Sequence, residues 1–213
     1  MTASFWRSLD LDKLTGLEKL VMSECPPPPL DGLRKLPSTI KFLEISDWNR
    51  VTSGKELTQI LCCLPKLSEL TIHRCGKITG LSVVEQLKEE ETDDTLLLLP
   101  RQLQMLQILC CPELSLRADS PYGGNGGGLQ ALSSLHSLFI DGCPKFLACY
   151  LSSPSSSCCF PFPTSLQYLW LDGVEKLAPL SNLASLVNLQ IGYCGGSEAR
   201  ACGVSSPTAA SVN

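Results

Sequence analysis

Histidine is nearly missing from this chain: His73 and His136 are the only two among 213 residues. Metal sites assembled from several imidazoles are excluded. His73-x-Cys75 offers two ligand types close together, but on a strand His73 faces outward while Cys75 begins the turn inward, so no metal site is expected there. Long apolar runs are also missing. The longest, residues 146–151, is far shorter than the ~20 residues a bilayer-spanning helix needs. Residues 1–11 lack the basic start and apolar stretch of a secretory signal. Net charge is −4 with no basic stripe, so nucleic acid is not an expected partner, and neither is a membrane. No phosphate-binding GxxxxGK[ST] occurs: Gly76-Lys77 is followed by Ile78 and lacks the upstream glycine. No nucleophile elbow occurs either. The expectation is a non-enzyme without a cofactor.

What the chain does have is a repeated apolar frame, clearest at Leu135, Leu138, Ile140, Cys143 and Phe146. Leu138 and Ile140 are two apart and share one face of a strand; Ser137, Phe139 and Asp141 point the other way. The frame recurs at Leu17-Leu20-Met22-Cys25, Ile40-Leu43-Ile45-Trp48, Leu67-Leu70-Ile72-Cys75 and Leu103-Leu106-Ile108-Cys111. It returns at Leu166-Leu169-Leu171-Val174 and Leu186-Leu189-Ile191-Cys194. The first three positions of the seven copies are 21 sites, all apolar in a chain that is 44% hydrophobic, which chance alignment does not readily produce. Start-to-start intervals are 23, 27, 36, 32, 31 and 20 residues. The shorter ones lie in the leucine-rich-repeat range of ~20–29, and the longer ones need insertions.

A single repeat cannot bury its own apolar face, so the copies must stack. Stacked strands run parallel and need crossovers of about a dozen residues or more. The expected fold is α/β: a leucine-rich-repeat solenoid, or horseshoe, with a parallel concave sheet and an irregular or short-helical convex side. Its expected divisions are 1–16, an incomplete repeat or linker; 17–194, about seven repeats; and 195–213, a disordered tail. Neither end reads as a polar cap, so the strands at Leu20 and Leu189 are expected to be exposed edges.

Cysteine is abundant, with twelve in the chain. Cys25, Cys75, Cys111, Cys143 and Cys194 share one frame position, where a small thiol packs as a hydrophobe and gives a weak hydrogen bond to a turn carbonyl. Cys62, Cys63, Cys110, Cys149, Cys158, Cys159 and Cys202 lie elsewhere. With no secretory signal, all twelve are expected to be reduced and the chain cytoplasmic. Between the repeats, Pro26–Pro29 is a stiff extended segment. Leu57, Ile60, Leu61 and Leu64 show helical spacing, so residues 54–64 are expected to be a short crossover helix. Residues 80–91 also read as a helix, with Val83, Val84 and Leu87 as its stripe and Ser82 with Glu85 as a capping box; the acidic run Glu89–Asp94 is its solvated end. Residues 117–128 and 152–163 read as inserted loops.

The phrases LQMLQILCCPEL (103–114) and LHSLFIDGCPKF (135–146) resemble the leucine-rich-repeat region of plant nucleotide-binding disease-resistance proteins of the coiled-coil class. LTGLEKLVMSECPP and LPSTIKFLEISDW are similar to that family too, and the resemblance covers about Leu14 to Cys194. It implies a protein-recognition module of an innate-immune receptor. Its partners would be a pathogen effector, a guarded host protein, or a nucleotide-binding domain supplied elsewhere. The chain departs from the family in lacking a P-loop, so nucleotide binding is not implied, and the resemblance suits a fragment. LSELTIHRCGKITGL (67–81) instead resembles the repeats of F-box ubiquitin-ligase adaptors, but the other six copies lack its I-T-G-L ending. A generic leucine-rich-repeat scaffold is the remaining alternative.

The outward strand residues of all copies form one sheet face. Phe139 and Trp170 hold the same central position in consecutive repeats, so their rings are expected to be neighbours. Tyr168 is two residues from Trp170, while Met105 and Leu109 lie one strand beyond Phe139. The candidate protein-binding site is this apolar, aromatic patch, Phe139, Trp170, Tyr168, Met105 and Leu109, bordered by Asp141 and Asp172.

Overall fold

The frame leucines of all seven copies stand side by side in one sheet. The computed structural model describes Trp6 and residues 9–48, 53–83, 94–116, 129–148, 160–178 and 180–192. In chain order the strands are β1 (Lys19–Ser23), β2 (Phe42–Ser46), β3 (Glu69–His73), β4 (Gly80–Val83), β5 (Leu96–Leu99) and β6 (Met105–Leu109). They continue with β7 (Ser115–Leu116), β8 (Ser137–Asp141), β9 (Tyr168–Asp172) and β10 (Asn188–Ile191). The seven-stranded sheet runs β1-β2-β3-β6-β8-β9-β10, every neighbouring pair parallel. Its register is the frame: Leu20 pairs with Leu43, Leu43 with Leu70, Leu70 with Leu106, Leu106 with Leu138, Leu138 with Leu169 and Leu169 with Leu189. The isoleucine row lies two residues further along each strand. From β2 to β9 both rows are buried in one core. Each such side chain contributes roughly 1.5–3 kcal/mol by leaving water.

Two recurring hydrogen-bond devices join successive strands. At the entry to each strand one carbonyl accepts two N–H groups from the next copy. Glu18 O takes Lys41 and Phe42, Lys41 O takes Ser68 and Glu69, and Ser68 O takes Gln104 and Met105. Gln104, His136 and Gln167 repeat the pattern. At the exit, the residue after the strand turns into the left-handed region: Glu24 (φ 50°), Asp47 (59°), Arg74 (52°), Cys110 (54°), Gly142 (64°) and Gly173 (63°). From Glu24 to Gly142, the N–H of this corner residue donates to the last strand carbonyl of the next copy, at 2.8–3.1 Å. The left-handed conformation costs a non-glycine residue roughly 1–2 kcal/mol. Four corners carry that strain for one backbone bond each and a turn of the chain into the core. At Gly173 the absence of a side chain is required by neighbours as well as by φ, because a Cβ would lie 2.9 Å from the Gly142 nitrogen.

The residue after each corner is the frame cysteine or its replacement. Cys75, Cys111 and Cys143 are buried, and each Sγ–H points back to a strand-end carbonyl: His73 at 3.5 Å, Leu109 at 3.4 Å and Asp141 at 3.4 Å. Burial, reinforced by the neighbouring Cys111, pushes the Cys75 thiol up to about 12. The Cys111–Cys143 contact works oppositely on its two members. The shared hydrogen bond lowers Cys111 and raises Cys143, where burial adds in the same direction. Trp48 fills the same position after β2, buried in the core. One thiol expectation fails. Cys110 is disulfide-bonded, whereas Cys25, Cys62, Cys63, Cys75, Cys111 and Cys143 are free. Cys110 is a half-buried corner residue outside the inward-turned row, so packing does not commit its sulfur to a core carbonyl.

Among the described residues the segments between the large-sheet strands carry a smaller parallel sheet, β5-β4-β7, and the short α-helices α1 (Leu30–Leu33) and α2 (Gly54–Cys62). The helix expected over 54–64 is present as α2, with Leu57, Ile60 and Leu61 buried. Its start is a capping box for which the sequence pattern alone raised no expectation: the Glu56 N–H donates to Ser53 Oγ, and the Ser53 N–H to the Glu56 carboxylate. Thr58 Oγ1 accepts from the Leu98 N–H at 3.0 Å, tying α2 to β5. Gly54 permits this approach, since a Cβ would meet the Leu96 backbone at 2.5 Å. The helix expected over 80–91 is corrected: Gly80–Val83 is strand β4, and Ser82 belongs to the strand rather than to a helix cap. Leu81 and Val83 are buried at period two, and β4 has partners on both sides, which outweighs a helical spacing that runs on into residues 84–91. Leu96–Leu99, a four-leucine run outside the repeated frame, is β5.

The two ends of the large sheet differ, although both are edges by the frame. At β1, Met22 is 2% exposed and Leu20 half-buried, because Trp6 and Leu11 close over the end of the core. β1 is still an edge strand, as expected, paired only with β2 and with Lys19, Val21 and Ser23 exposed; only its frame side chains are covered. The Trp6 indole N–H donates to the Pro26 carbonyl at 2.8 Å. At β10, the equivalent Leu189 and Ile191 are 46% and 43% exposed, as expected. The expected readings of 84–93, 117–128, 152–159 and 195–213, and of Val84, Glu85, Leu87, Cys149, Cys158, Cys159, Cys194 and Cys202, lie outside the described residues. Among the described residues no helix is long and apolar enough to cross a membrane.

Candidate protein-recognition face

Alternation on the seven strands leaves one row of side chains in every strand pointing away from the core. The burial pattern of β8, half-buried–buried–half-buried–buried–exposed along Ser137–Asp141, shows it directly. In the β1–β3 half of the face the side chains are largely polar, and Lys19 Nζ sits 4.2 Å from the centre of the Phe42 ring. Two outward positions depart from expectation: Ser46 and Thr71 are buried, each only 7% exposed. Both are short and sink among longer register neighbours, Glu44 and Gln107 beside Thr71 and His73 beside Ser46.

The β6–β10 half carries the aromatic residues. Phe139 and Trp170 are register partners, their ring centroids 6.3 Å apart and tilted by 48°, within the separation at which aromatic pairs attract. Their expected adjacency holds. Tyr168 is 45% exposed on the same face. The three border a depression of about 230 Å3, walled on the other side by Asn188 and Gln190 and reaching Leu169. Met105 and Leu109 are half-buried on β6 and do not line it. Gln107, rather than either of them, is the register partner of Phe139. Asn188 and Gln190 lie on the expected face but outside the expected patch. The signal that finds them is the frame register, which sets Asn188 beside Tyr168 and Gln190 beside Trp170.

Asp141 and Asp172 are register partners at the ends of β8 and β9. The Asp141 carboxyl is held above the ordinary carboxylate value, first by desolvation and then by the charge of Asp172; His73 pulls it the other way. Like charges directly opposite on neighbouring strands repel. His73 faces outward from β3 while Cys75 is buried behind the corner, so this pair does not converge as metal ligands. Among the described residues no three His, Cys, Asp or Glu side chains converge as a metal site. The face therefore offers apolar contact, amide hydrogen bonding and negative charge. Comparison of the chain with protein-family models and with curated proteins finds no match.

Proposed function

We propose that the chain is a leucine-rich-repeat solenoid whose seven-stranded sheet forms the concave side of a horseshoe. It acts as the protein-recognition module of a plant innate-immune receptor of the nucleotide-binding, coiled-coil class. It binds a pathogen effector or a guarded host protein. The observation that carries recognition is the cluster of Phe139, Tyr168 and Trp170, drawn from adjacent strands and accessible at one end of a sheet face. Tryptophan and tyrosine are enriched among the residues that dominate binding energy. The in-register frame and the uneven crossovers support the solenoid. The immune assignment rests on the sequence resemblance at residues 103–114 and 135–146.

The test is a two-hybrid screen against pathogen effectors and host proteins, with the wild-type chain and Trp170→Ala as baits. Partners that lose binding by ~2 kcal/mol or more with Trp170→Ala, while its circular dichroism and melting are unchanged, support the reading. If Trp170→Ala loses stability and binding together, Trp170 is a core residue and the patch is not the site. A P-loop encoded upstream of Met1 would support the receptor assignment, and an F-box there would replace it with the adaptor.

A further inference from the structure

The aromatic depression is lined by uncharged residues only, and its polar groups are uncommitted. Among the described residues, the Tyr168 hydroxyl, the Trp170 indole N–H and the side-chain amides of Asn188 and Gln190 make no hydrogen bond. Trp170 is half-buried, and its unpaired N–H still reaches solvent. The lining therefore offers ring faces beside several open N–H and O–H donors, and Asp141 and Asp172 are not part of it. Elsewhere the same chain shows an indole meeting proline. Pro26–Pro29 is a run of four, and the Trp6 indole N–H donates to the Pro26 carbonyl at 2.8 Å. Proline has no N–H of its own. An extended polyproline II segment forms no internal hydrogen bonds, so its carbonyls stay open to side-chain donors.

We propose that this depression takes a proline-rich extended segment of the partner protein, its rings against Tyr168 and Trp170 and its carbonyls accepting from the Trp170 indole and the amides of Asn188 and Gln190. The inference deepens the proposed recognition function and rests on it. Aromatic-lined grooves are the general receptors for such segments, which bind at low entropic cost because their extended form is set beforehand. Tyr168 and Trp170 stand two residues apart on one face of β9, about 6.6 Å along the strand. A polyproline II segment rises about 3.1 Å per residue, so two residues cover that span. The depression, at about 230 Å3, falls below the ~300–1,000 Å3 of small-molecule sites and suits small rings better than a helix. A helix also keeps its carbonyls bonded within itself and would leave the open donors facing apolar side chains. A charged anchor would find no opposite charge in the lining. The chain's own tetraproline is engaged by Trp6, with Pro28 buried, so the occupant is another protein rather than a second copy.

The test pans a random peptide library displayed on phage over the immobilised full chain, with counter-selection on Trp170→Ala. The expected result is a set of Trp170-dependent peptides enriched in proline. Replacing the enriched prolines by alanine restores N–H groups and frees the backbone, and should weaken binding about tenfold or more. Asn188→Ala with Gln190→Ala removes donors at two exposed positions and should weaken the same peptides about threefold to tenfold while leaving the melting curve unchanged. If melting curves show that Trp170→Ala unfolds, counter-selection uses this double variant instead. Peptides that depend on Trp170 or on the two amides but are anchored by leucine, aromatic or charged residues, or are unchanged by the alanine replacement, would overturn the proline inference and leave the recognition function standing. A selection yielding no peptide that depends on Trp170 or on the two amides would overturn both.

Discussion

The two ends of the large sheet obey the same frame and have opposite fates. Leu20 and Met22 in β1 match Leu189 and Ile191 in β10 position for position. Yet Met22 is 2% exposed and Ile191 is 43% exposed. The difference lies in the residues that flank the frame. Trp6 and Leu11 come back over β1, and the indole N–H is anchored on the Pro26 carbonyl. Among the described residues nothing comparable covers β10, where Val187 is also 75% exposed. An apolar frame thus specifies strands and register but not the closure of a stack; closure needs a large side chain supplied from outside the frame.

The largest expected effect separates the middle from the open end. Leu138 is fully buried with paired strands on both sides, so Leu138→Asp should unfold the chain. Removing such a side chain alone costs about 2–5 kcal/mol, and an unpaired buried carboxylate adds more. Leu189→Asp occupies the same frame position and should cost about 1 kcal/mol or less, while reducing self-association through the open edge. Circular dichroism and light scattering decide it, and equal unfolding by both variants would erase the distinction. Next, Trp6→Ala should destabilise by about 3 kcal/mol or more, whereas Ile191→Ala should barely move the denaturation midpoint. Comparable shifts would mean that β1 is no better closed than β10.

A smaller effect concerns the corners nearest each end. Gly173→Ala forces a Cβ against the Gly142 backbone at positive φ and should cost about 1–3 kcal/mol. Glu24→Gly should be neutral to slightly stabilising, because the relief of left-handed strain is offset by a freer unfolded chain. Urea denaturation of the two variants measures the contrast. The smallest effect is on pH. Asp141 binds its proton more tightly in the folded chain than in the unfolded one. Its contribution to stability is therefore most favourable below the ordinary carboxylate pKa and declines as pH rises from there through the folded value. Asp141→Asn should remove that decline in melts taken across the carboxylate range. Asp172→Asn should shrink it, and removing His73 should enlarge it.

How much of the molecule is legible in the sequence depends on whether the cause is periodic. Leu138 beside Leu169, and Phe139 beside Trp170, come from period two and a fixed register. So do the inward cysteines, whose thiols make the expected carbonyl contacts. The corners are not legible, because Glu24, Asp47, Arg74 and Cys110 are not the glycines that usually mark positive φ. Residues 80–91 mislead because local spacing favours a helix, while the deciding partners of β4 lie at Leu96–Leu99 and Ser115–Leu116. Trp6 is a single residue with no pattern, and the disulfide of Cys110 depends on folded geometry. In the site, the aromatic pair comes from alternation; Asn188 and Gln190 become its wall only through the register of β10.

The paired entry bonds and the corner bonds have an evolutionary consequence. Each strand is admitted to the sheet by its neighbour's backbone, through contacts that ask nothing of the crossover between them. Copies spaced from 20 to 36 residues apart share the entry bonds, and those spaced from 23 to 36 share the corner bond as well. A duplicated copy inherits both docking edges and can be inserted between existing ones without disturbing their register. The outward side chains take no part in those bonds, so single codon changes can rewrite the face while the stack stays intact. A lineage built this way can lengthen its sheet by unequal recombination and vary its surface by point mutation, with the two processes running independently.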